Sequence, residues 1–181
     1  MRIIGGLYRG KNLLSPQTGN IRPTSDKARE SVFNILYSKL TKTWDQINLA
    51  DIFTASGAFG LEAVSRGAKS VALVDIDTAS ATKNIALFPN EKNKITLIRA
   101  DASSLPHSRQ KFDIIFMDAP YHKGLSEQAL SSILKNNWLA PDGICVIETA
   151  ADETLEVPQP LKLIDERRYG IAKFWFLTFK N

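Results

Sequence analysis

The residues best equipped for chemistry are four in succession: Asp118, Ala119, Pro120 and Tyr121. The Asp118 carboxylate and the Ala119 carbonyl can each accept a hydrogen bond from one exocyclic amine. Two such bonds localise the nitrogen lone pair and direct it at an electrophilic carbon. The Tyr121 ring can stack on the face of a flipped-out base. A turn after a strand explains Pro120 but requires neither Asp118 nor Tyr121, so we predict that these four residues form a catalytic tetrapeptide.

A glycine-containing loop lies earlier in the chain, between a strand pattern at residues 47–53 and a helix pattern that starts at Leu61. Ligands of open α/β sheets bind outside the carboxyl ends of the strands, where glycine lets the backbone approach them. Many strand-to-helix turns contain glycine only for conformational reasons, so the loop alone is weak evidence. The next strand supplies a second signal, because it ends in an acidic residue about twenty residues beyond the loop, suited to ribose hydroxyls.

The two signals together predict a nucleotide-type cofactor. Asp75 is the expected ribose ligand and Asp101 the expected acceptor for the adenine amino group, although either aspartate could instead cap a helix. A dinucleotide favours the pattern G-x-G-x-x-G, but Ala55 occupies the first glycine position here. S-adenosylmethionine has no pyrophosphate and fits this loop better. The predicted cofactor-binding residues are Asp51, Phe53, Ser56, Gly57, Gly60, Asp75, Ile76, Asp101 and Ala102.

Composition narrows the class of protein. The chain has 181 residues, enough for one domain with a substantial core, and a net charge of +4, which permits a polyanionic partner. The single Cys145, in an apolar strand, indicates a buried inert thiol, and with two histidines it predicts no metal site. No apolar run is long enough to span a bilayer. We expect a cytoplasmic monomer that does not bind membranes.

The N-terminal residues differ from the rest in charge and pattern. Residues 1–27 are basic and broken by glycines, which predicts a β-hairpin extension ahead of a domain at residues 28–181. Basic groups beside Tyr8 suit an RNA backbone, and a solvated basic hairpin is the alternative. Thr24 or Ser25 can cap the following helix, with Arg22 presented at its N-terminus; Arg29 and Glu30 could instead form surface ion pairs. The predicted RNA-binding residues are Arg2, Arg9, Lys11, Arg22, Thr24 and Arg29.

The remaining pattern alternates strands and helices. Helices are predicted at residues 78–87 and 130–139, and strands at 94–99, 112–117 and 144–148. The last two strands, at 161–170 and 172–179, surround a turn, so one of them should run antiparallel to the others. This finish is typical of methyltransferase sheets. The prediction is a Rossmann-like α/β fold with a mostly parallel seven-stranded sheet.

With these residues in view, the chain resembles the bacterial 16S rRNA guanine-N2 methyltransferases, the family named for guanine 966. The resemblance covers nearly the whole length. It implies a class I methyltransferase that uses S-adenosylmethionine on a guanine amine of the small ribosomal subunit or its assembly intermediate. The motifs that carry it are Arg2-Ile3-Ile4-Gly5-Gly6, Arg9-Gly10-Lys11, Arg22-Pro23-Thr24, Arg29-Glu30, Phe33-Asn34, Ser65-Arg66-Gly67-Ala68, the tetrapeptide, and Arg168-Tyr169-Gly170.

Two residues depart from the family pattern. The family has glycine at Ala55 and a second proline at Ala119. These changes predict weaker cofactor binding or slower transfer, because Ala55 tolerates positive φ poorly and Ala119 lacks a ring that fixes φ. They also motivate one alternative, a silent rRNA-binding assembly factor. An N6-adenine methyltransferase is a second alternative, and a nicotinamide oxidoreductase is disfavoured by the glycine pattern.

Overall fold

A computed structural model describes residues 1–15 and 25–180, and the described residues contain one seven-stranded sheet. The first four strands along the chain are shorter than the last three. The strands are β1 (Asn48–Ile52), β2 (Ser70–Asp75), β3 (Ile95–Arg99), β4 (Phe112–Asp118), β5 (Leu139–Ala150), β6 (Leu161–Tyr169) and β7 (Ala172–Phe179).

The strand order is β3-β2-β1-β4-β5-β7-β6. Strands β1 to β5 pair in parallel, and β7 pairs antiparallel with both β5 and β6. The predicted mostly parallel sheet with one antiparallel strand is therefore confirmed. Because β1 connects to β2 on one side and has β4 on the other, the carboxyl ends of β1 and β4 flank a topological switch point, where open α/β sheets bind ligands.

Helices cover both faces of the sheet. They are α1 (Asp26–Lys39), α2 (Ala58–Ser65), α3 (Ala79–Ile85) and α4 (Leu125–Lys135). Apolar residues of α1, α2 and α3 pack on one face, and those of α4 pack on the other. Alternate residues of β4 point to opposite faces of the sheet. Ile114 and Phe116 pack with α1, α2 and α3, and Ile115 and Met117 pack with α4. None of the helices within the described ranges is long and apolar enough to cross a membrane.

The structure corrects the predicted bounds of α4 and β5. Helix α4 ends at Lys135 instead of residue 139 and begins five residues earlier than predicted, because Ser126, Ala129, Leu130 and Ile133 share its buried face. Strand β5 begins at Leu139, ahead of the expected turn at residues 141–143. The β4–β5 register shifts between Phe112 and Ile114, and this irregularity accommodates the turn-forming residues within the strand.

The N-terminal residues form a short hairpin that packs on the helices. The Ile3 N–H donates to the Lys11 carbonyl at 2.9 Å, and the Gly10 N–H donates to the Ile3 carbonyl at 2.8 Å. Ile3 and Leu13 are buried in a small cluster with Leu61 and Phe88. The predicted domain boundary at residues 27/28 falls inside α1. The Ser25 side chain caps this helix, and the predicted RNA-binding residues Arg22 and Thr24 lie outside the described residues.

Arg29 requires a correction, because its side chain is only 2% exposed and cannot reach an RNA phosphate. Its guanidinium donates to the Arg2 carbonyl and to Asp26 Oδ1, and Nε lies 3.9 Å from Glu62 Oε2. Burial lowers the pKa of Arg29, and the neighbouring carboxylates oppose that shift. Arg29 therefore joins α1, α2 and the N-terminal hairpin from inside the protein. Arg29 lies on the buried face of α1 and is therefore shielded from solvent. The charge pattern of the sequence did not indicate this burial.

We expect Arg29→Met to lower the free energy of unfolding by about 2 kcal/mol, because it leaves buried polar partners without their cation. The loss is moderated because Glu62 keeps its 2.9 Å ion pair with Arg66. The same change at exposed Arg9 is the control and should stay within about 0.5 kcal/mol of the wild type. Urea denaturation measures both; equal midpoints for the two variants would contradict a structural role for Arg29.

Candidate active site

The loop after β1 is held in shape by its own backbone amides. The Thr54 N–H donates to the Val74 carbonyl at 3.1 Å, and the Gly57 N–H donates to the Thr54 carbonyl at 2.7 Å. The Ala55 N–H donates to Asp75 Oδ2 at 2.8 Å. These bonds fix the loop to the carboxyl end of β2.

Asp51 supports this loop from beneath. Its side chain is 2% exposed, and Oδ2 accepts from Thr54 Oγ1 at 2.7 Å and from the Gly60 N–H at 2.9 Å. Burial raises the pKa of Asp51 to about 7, although the bonds from Thr54 and Gly60 favour the ionised form. Asp51 was predicted to bind the cofactor; its burial instead makes it a residue that positions the loop.

Gly60 also differs from its predicted role. A Cβ at this position would collide with the Leu73 side chain and lie 2.9 Å from Val71, both on β2. Glycine is therefore required for close packing of α2 on the sheet, and not for approach to a ligand. Gly57 caps α2 with φ of +81°, a conformation that glycine adopts without strain. Ser56, which lies between the end of β1 and Gly57 in the chain, is buried.

The carboxyl ends of β2 and β3 form the outer part of the site. Asp75 is oriented by two backbone amides, since Oδ1 also accepts from the Asp77 N–H at 3.0 Å, and a carboxylate retains further acceptor capacity for ribose hydroxyls. Ile76 next to it is 64% exposed, which offers an apolar surface to a purine. Asp101 Oδ1 accepts from the Ser103 N–H and hydroxyl, which lowers its pKa and caps the turn containing buried Ala102.

Two loop residues have backbone conformations that favour glycine. Phe53 has φ of +61° and Ala55 has φ of +48°. Left-handed backbone costs a residue with a Cβ about 1–2 kcal/mol. The strain at Ala55 is the physical consequence of the departure noted in the sequence, and the bond from its N–H to Asp75 helps to hold it there.

The tetrapeptide lies beside this loop. Ile52 of β1 pairs with Met117 of β4, so the two chains leave the sheet as neighbours. Asp118 is partly exposed at the end of β4, and Ala119 is 3% exposed. Pro120 is exposed, and the Tyr121 ring is partly buried. The predicted cofactor loop and the predicted catalytic residues therefore meet at one edge of the sheet.

Glu148 is a further residue of this site that was not predicted from the sequence. It pairs with Asp118 in the β4–β5 register, is 3% exposed, and accepts from the Tyr121 hydroxyl at 2.8 Å. Burial and the Glu148 charge raise the pKa of Tyr121, so the phenol stays neutral and acts as a donor. The available signal was its position: like Asp75 and Asp118, Glu148 follows an apolar run at the end of a parallel strand.

A narrow cleft opens on the outer side of the tetrapeptide. It has a volume of about 10 Å³, room for about one water molecule, and lies between the segments that follow β4 and the end of β5. Its lining is strongly polar and acidic. The residues that supply polar side chains are Tyr121, Ser126, Glu127, Glu148, Thr149, Glu153 and Thr154.

The predicted RNA contacts are distributed unevenly. Arg2 and Arg9 are exposed, and Arg2 also pairs with Asp26 at 2.9 Å. The Lys11 ammonium donates to the Leu87 carbonyl at 3.0 Å and lies 5.5 Å from the Tyr8 ring centroid. Among the described residues no group of His, Cys, Asp or Glu is placed to hold a metal ion. Burial raises the pKa of the Cys145 thiol to about 12, as expected for an inert cysteine.

The sheet order, the antiparallel β7 and the loop beside the tetrapeptide define a class I methyltransferase. A solved structure from Escherichia coli, the candidate methyltransferase yhhF, has a TM-score of 0.84 and 30% identity, covering 99% of this chain and 98% of that one. The family model described as conserved hypothetical protein 95 matches residues 1–178.

Sequence relatives give the family a functional name. Ribosomal RNA small subunit methyltransferase D of Haemophilus influenzae is 34% identical, covering 96% of this chain and 91% of that protein. The Escherichia coli protein of the same name is 33% identical, covering 94% and 85%. The chain therefore belongs to the family of ribosomal RNA small subunit methyltransferases D, which confirms the resemblance seen in the sequence.

We predict that Ala55→Gly increases the free energy of unfolding by about 1 kcal/mol, because glycine relieves the left-handed strain. Ala86 supplies a matched control: it has φ of −60° at the end of α3, and glycine there should destabilise the protein. Thermal unfolding of the two variants measures both effects. Destabilisation by Ala55→Gly would show that φ at residue 55 carries no strain.

The raised pKa of Asp51 predicts a pH dependence of stability. The folded state holds this proton more tightly than the unfolded state, so the stability from Asp51 is complete below about pH 4 and is lost as pH rises through about 7. We expect Asp51→Asn to remove up to about 4 kcal/mol of this dependence. Urea denaturation between pH 4 and pH 8 tests it, with exposed Asp142→Asn as control. Parallel curves for wild type and Asp51→Asn would exclude the shift.

Proposed function

We propose that this protein transfers a methyl group from S-adenosylmethionine to the exocyclic N2 amine of a guanine in 16S rRNA. The observation that carries the proposal is the Ile52–Met117 pairing, which sets the cofactor loop and the Asp118 tetrapeptide side by side. Membership of the methyltransferase D family supports the substrate class.

The residues around the loop fit S-adenosylmethionine. Asp75 suits the ribose hydroxyls, exposed Ile76 suits one face of the adenine, and Asp101 suits its amino group. The loop at residues 53–57 then faces the methionine end. When bound, this cofactor supplies a methyl group on a positively charged sulfur. The acidic residues at this edge of the sheet suit that charge.

Asp118 and Ala119 orient the acceptor. The Asp118 carboxylate and the Ala119 carbonyl each accept a hydrogen bond from the guanine N2 amine, which aims its lone pair in line with the carbon–sulfur bond. Transfer would form the N2–carbon bond and break the carbon–sulfur bond, whose electron pair would remain on sulfur. The alkylated nitrogen then loses a proton to water. No general base with a shifted pKa is needed.

Tyr121 and Glu148 favour guanine over adenine. The hydrogen bond to Glu148 holds the Tyr121 ring in one orientation, so it offers a rigid face for base stacking. The Glu148 carboxylate also lines the cleft beside Asp118. Guanine carries an N1–H donor next to its N2 amine, whereas adenine has an acceptor at N1. We propose that the Glu148 carboxylate accepts the guanine N1–H, a donor that adenine lacks, and so favours guanine.

The RNA partner is a large polyanion. Arg2 and Arg9, exposed on the N-terminal hairpin, and the net charge of +4 suit the binding of RNA phosphates. The proposed acceptor is the small ribosomal subunit or its assembly intermediate, which requires a cytoplasmic enzyme. A monomer remains our prediction.

The test is transfer of labelled methyl from S-adenosylmethionine to small subunits from cells that lack the activity, followed by identification of the modified nucleoside. We expect N2-methylguanosine. Asp118→Ala should lower the rate at least about 100-fold, Asp118→Asn less, because the amide oxygen still accepts. Glu148→Gln should lower it about tenfold. Asp142→Asn, on the exposed start of β5, should leave it unchanged.

The other outcomes discriminate the alternatives. N6-methyladenosine would establish the adenine methyltransferase and overturn the role given to Glu148. Subunit binding without methyl transfer, in a protein that still binds the cofactor, would establish a silent assembly factor. Undiminished transfer by Asp118→Ala would remove the tetrapeptide from the reaction.

A further inference from the structure

The N-terminal hairpin is attached to α2 by its backbone. Glu62 accepts from the Ile4 N–H at 2.7 Å and from the Gly5 N–H at 2.8 Å. The Ser65 carbonyl accepts from the Leu7 N–H at 2.8 Å. Gly6 lies so close to the Ser65 carbonyl that a Cβ would collide with it. Residues 1–15, which we call the N-terminal segment, are therefore seated on the helix that follows the cofactor loop.

Asn84 on α3 joins the end of this segment to the loop itself. It has no solvent exposure, and all of its described bonds go to backbone. Its Oδ1 accepts from the Leu14 N–H at 2.8 Å, and its Nδ2 donates to the Leu14 carbonyl at 3.0 Å. The same Nδ2 donates to the Ser56 carbonyl at 2.8 Å. One amide side chain thus bonds to Leu14 and to Ser56, which are 42 positions apart in the sequence (56 − 14).

The bond to Ser56 fixes one peptide plane of the loop. The carbonyl of the Ser56–Gly57 peptide is held by Asn84, and its N–H is held by the Thr54 carbonyl at 2.7 Å. This peptide cannot rotate without losing both bonds. The N-terminal segment also contacts Ser56 directly, because the Ser56 hydroxyl lies 3.4 Å from Met1 Sδ. Ser56 is therefore clamped between Asn84 and the first residue of the chain.

From these contacts we infer that the N-terminal segment is a wall of the cofactor site, and that Asn84 is the positioning residue through which the segment sets the cofactor loop. The inference rests on the proposed cofactor site. An amide is required at residue 84, because it supplies the acceptor for Leu14 and the donors for Leu14 and Ser56 together. Neither a carboxylate nor an aliphatic side chain can make all three bonds.

The cleanest test changes Leu14, whose side chain is 53% exposed and takes no part in the bond. Leu14→Pro removes the backbone N–H that donates to Asn84 Oδ1. Leu14→Ala also removes the leucine side chain but keeps this N–H, so it is the matched control. Titration calorimetry of the full chain with S-adenosylmethionine should give a dissociation constant about fivefold higher for Leu14→Pro and unchanged for Leu14→Ala. In the methyl-transfer assay, KM for the cofactor should rise while kcat at saturation stays constant.

A double-mutant cycle separates coupling from general destabilisation. Asn84→Ser should raise the dissociation constant about tenfold, and adding Leu14→Pro should raise it by no more than about twofold further, because the bond is already absent. Equal binding by wild type and Leu14→Pro would overturn the inference, as would a full proline effect in the Asn84→Ser background. Failure of the wild type to bind S-adenosylmethionine would overturn the proposed function as well. Methyl transfer by the wild type, together with an unchanged dissociation constant in Leu14→Pro, would overturn the inference alone.

Discussion

The close packing of α2 against β1 and β2 is the constraint on which the site depends. Gly60 has no side chain, so the helix approaches Leu73 closely enough for the Gly60 N–H to reach the buried Asp51 carboxylate. That contact determines where the chain must turn after β1, and the turn brings the Ala55 N–H to Asp75. Helix–sheet packing therefore organises the loop, and preorganisation of this kind lowers the entropic cost of binding a ligand.

Strand order then divides the acidic residues between two tasks. Parallel strands bring their carboxyl ends to one edge, so side chains far apart in sequence meet there. Asp75, the last residue of β2, and Asp101, after β3, lie on the side that suits a nucleoside. Asp118 and Glu148, on β4 and β5, lie on the side that suits an acceptor amine. The β1 loop separates them. A basic protein thus has acidic side chains along one edge of its sheet, whereas Arg2 and Arg9 are exposed on the N-terminal hairpin.

Buried polar side chains hold this arrangement together by bonding to backbone. Glu62 accepts from Ile4 and Gly5, Asn84 binds Leu14 and Ser56, and Arg29 donates to the Arg2 carbonyl. Each would be costly to bury without these partners. Together they attach residues 1–15 to the helices and to the loop after β1, although the charge pattern alone indicated a separate extension.

The sequence by itself determined the strand and loop pattern, the tetrapeptide at residues 118–121, the glycine loop and the family, because each depends on residues close together in the chain. Only the tertiary structure decided that Asp51 and Arg29 are buried, that Ala55 has positive φ, and that Tyr121 is bonded to Glu148. A local pattern shows that a carboxylate or a cation is present. Whether that group meets a ligand or holds the backbone depends on contacts with distant segments, and these exist only in the folded chain.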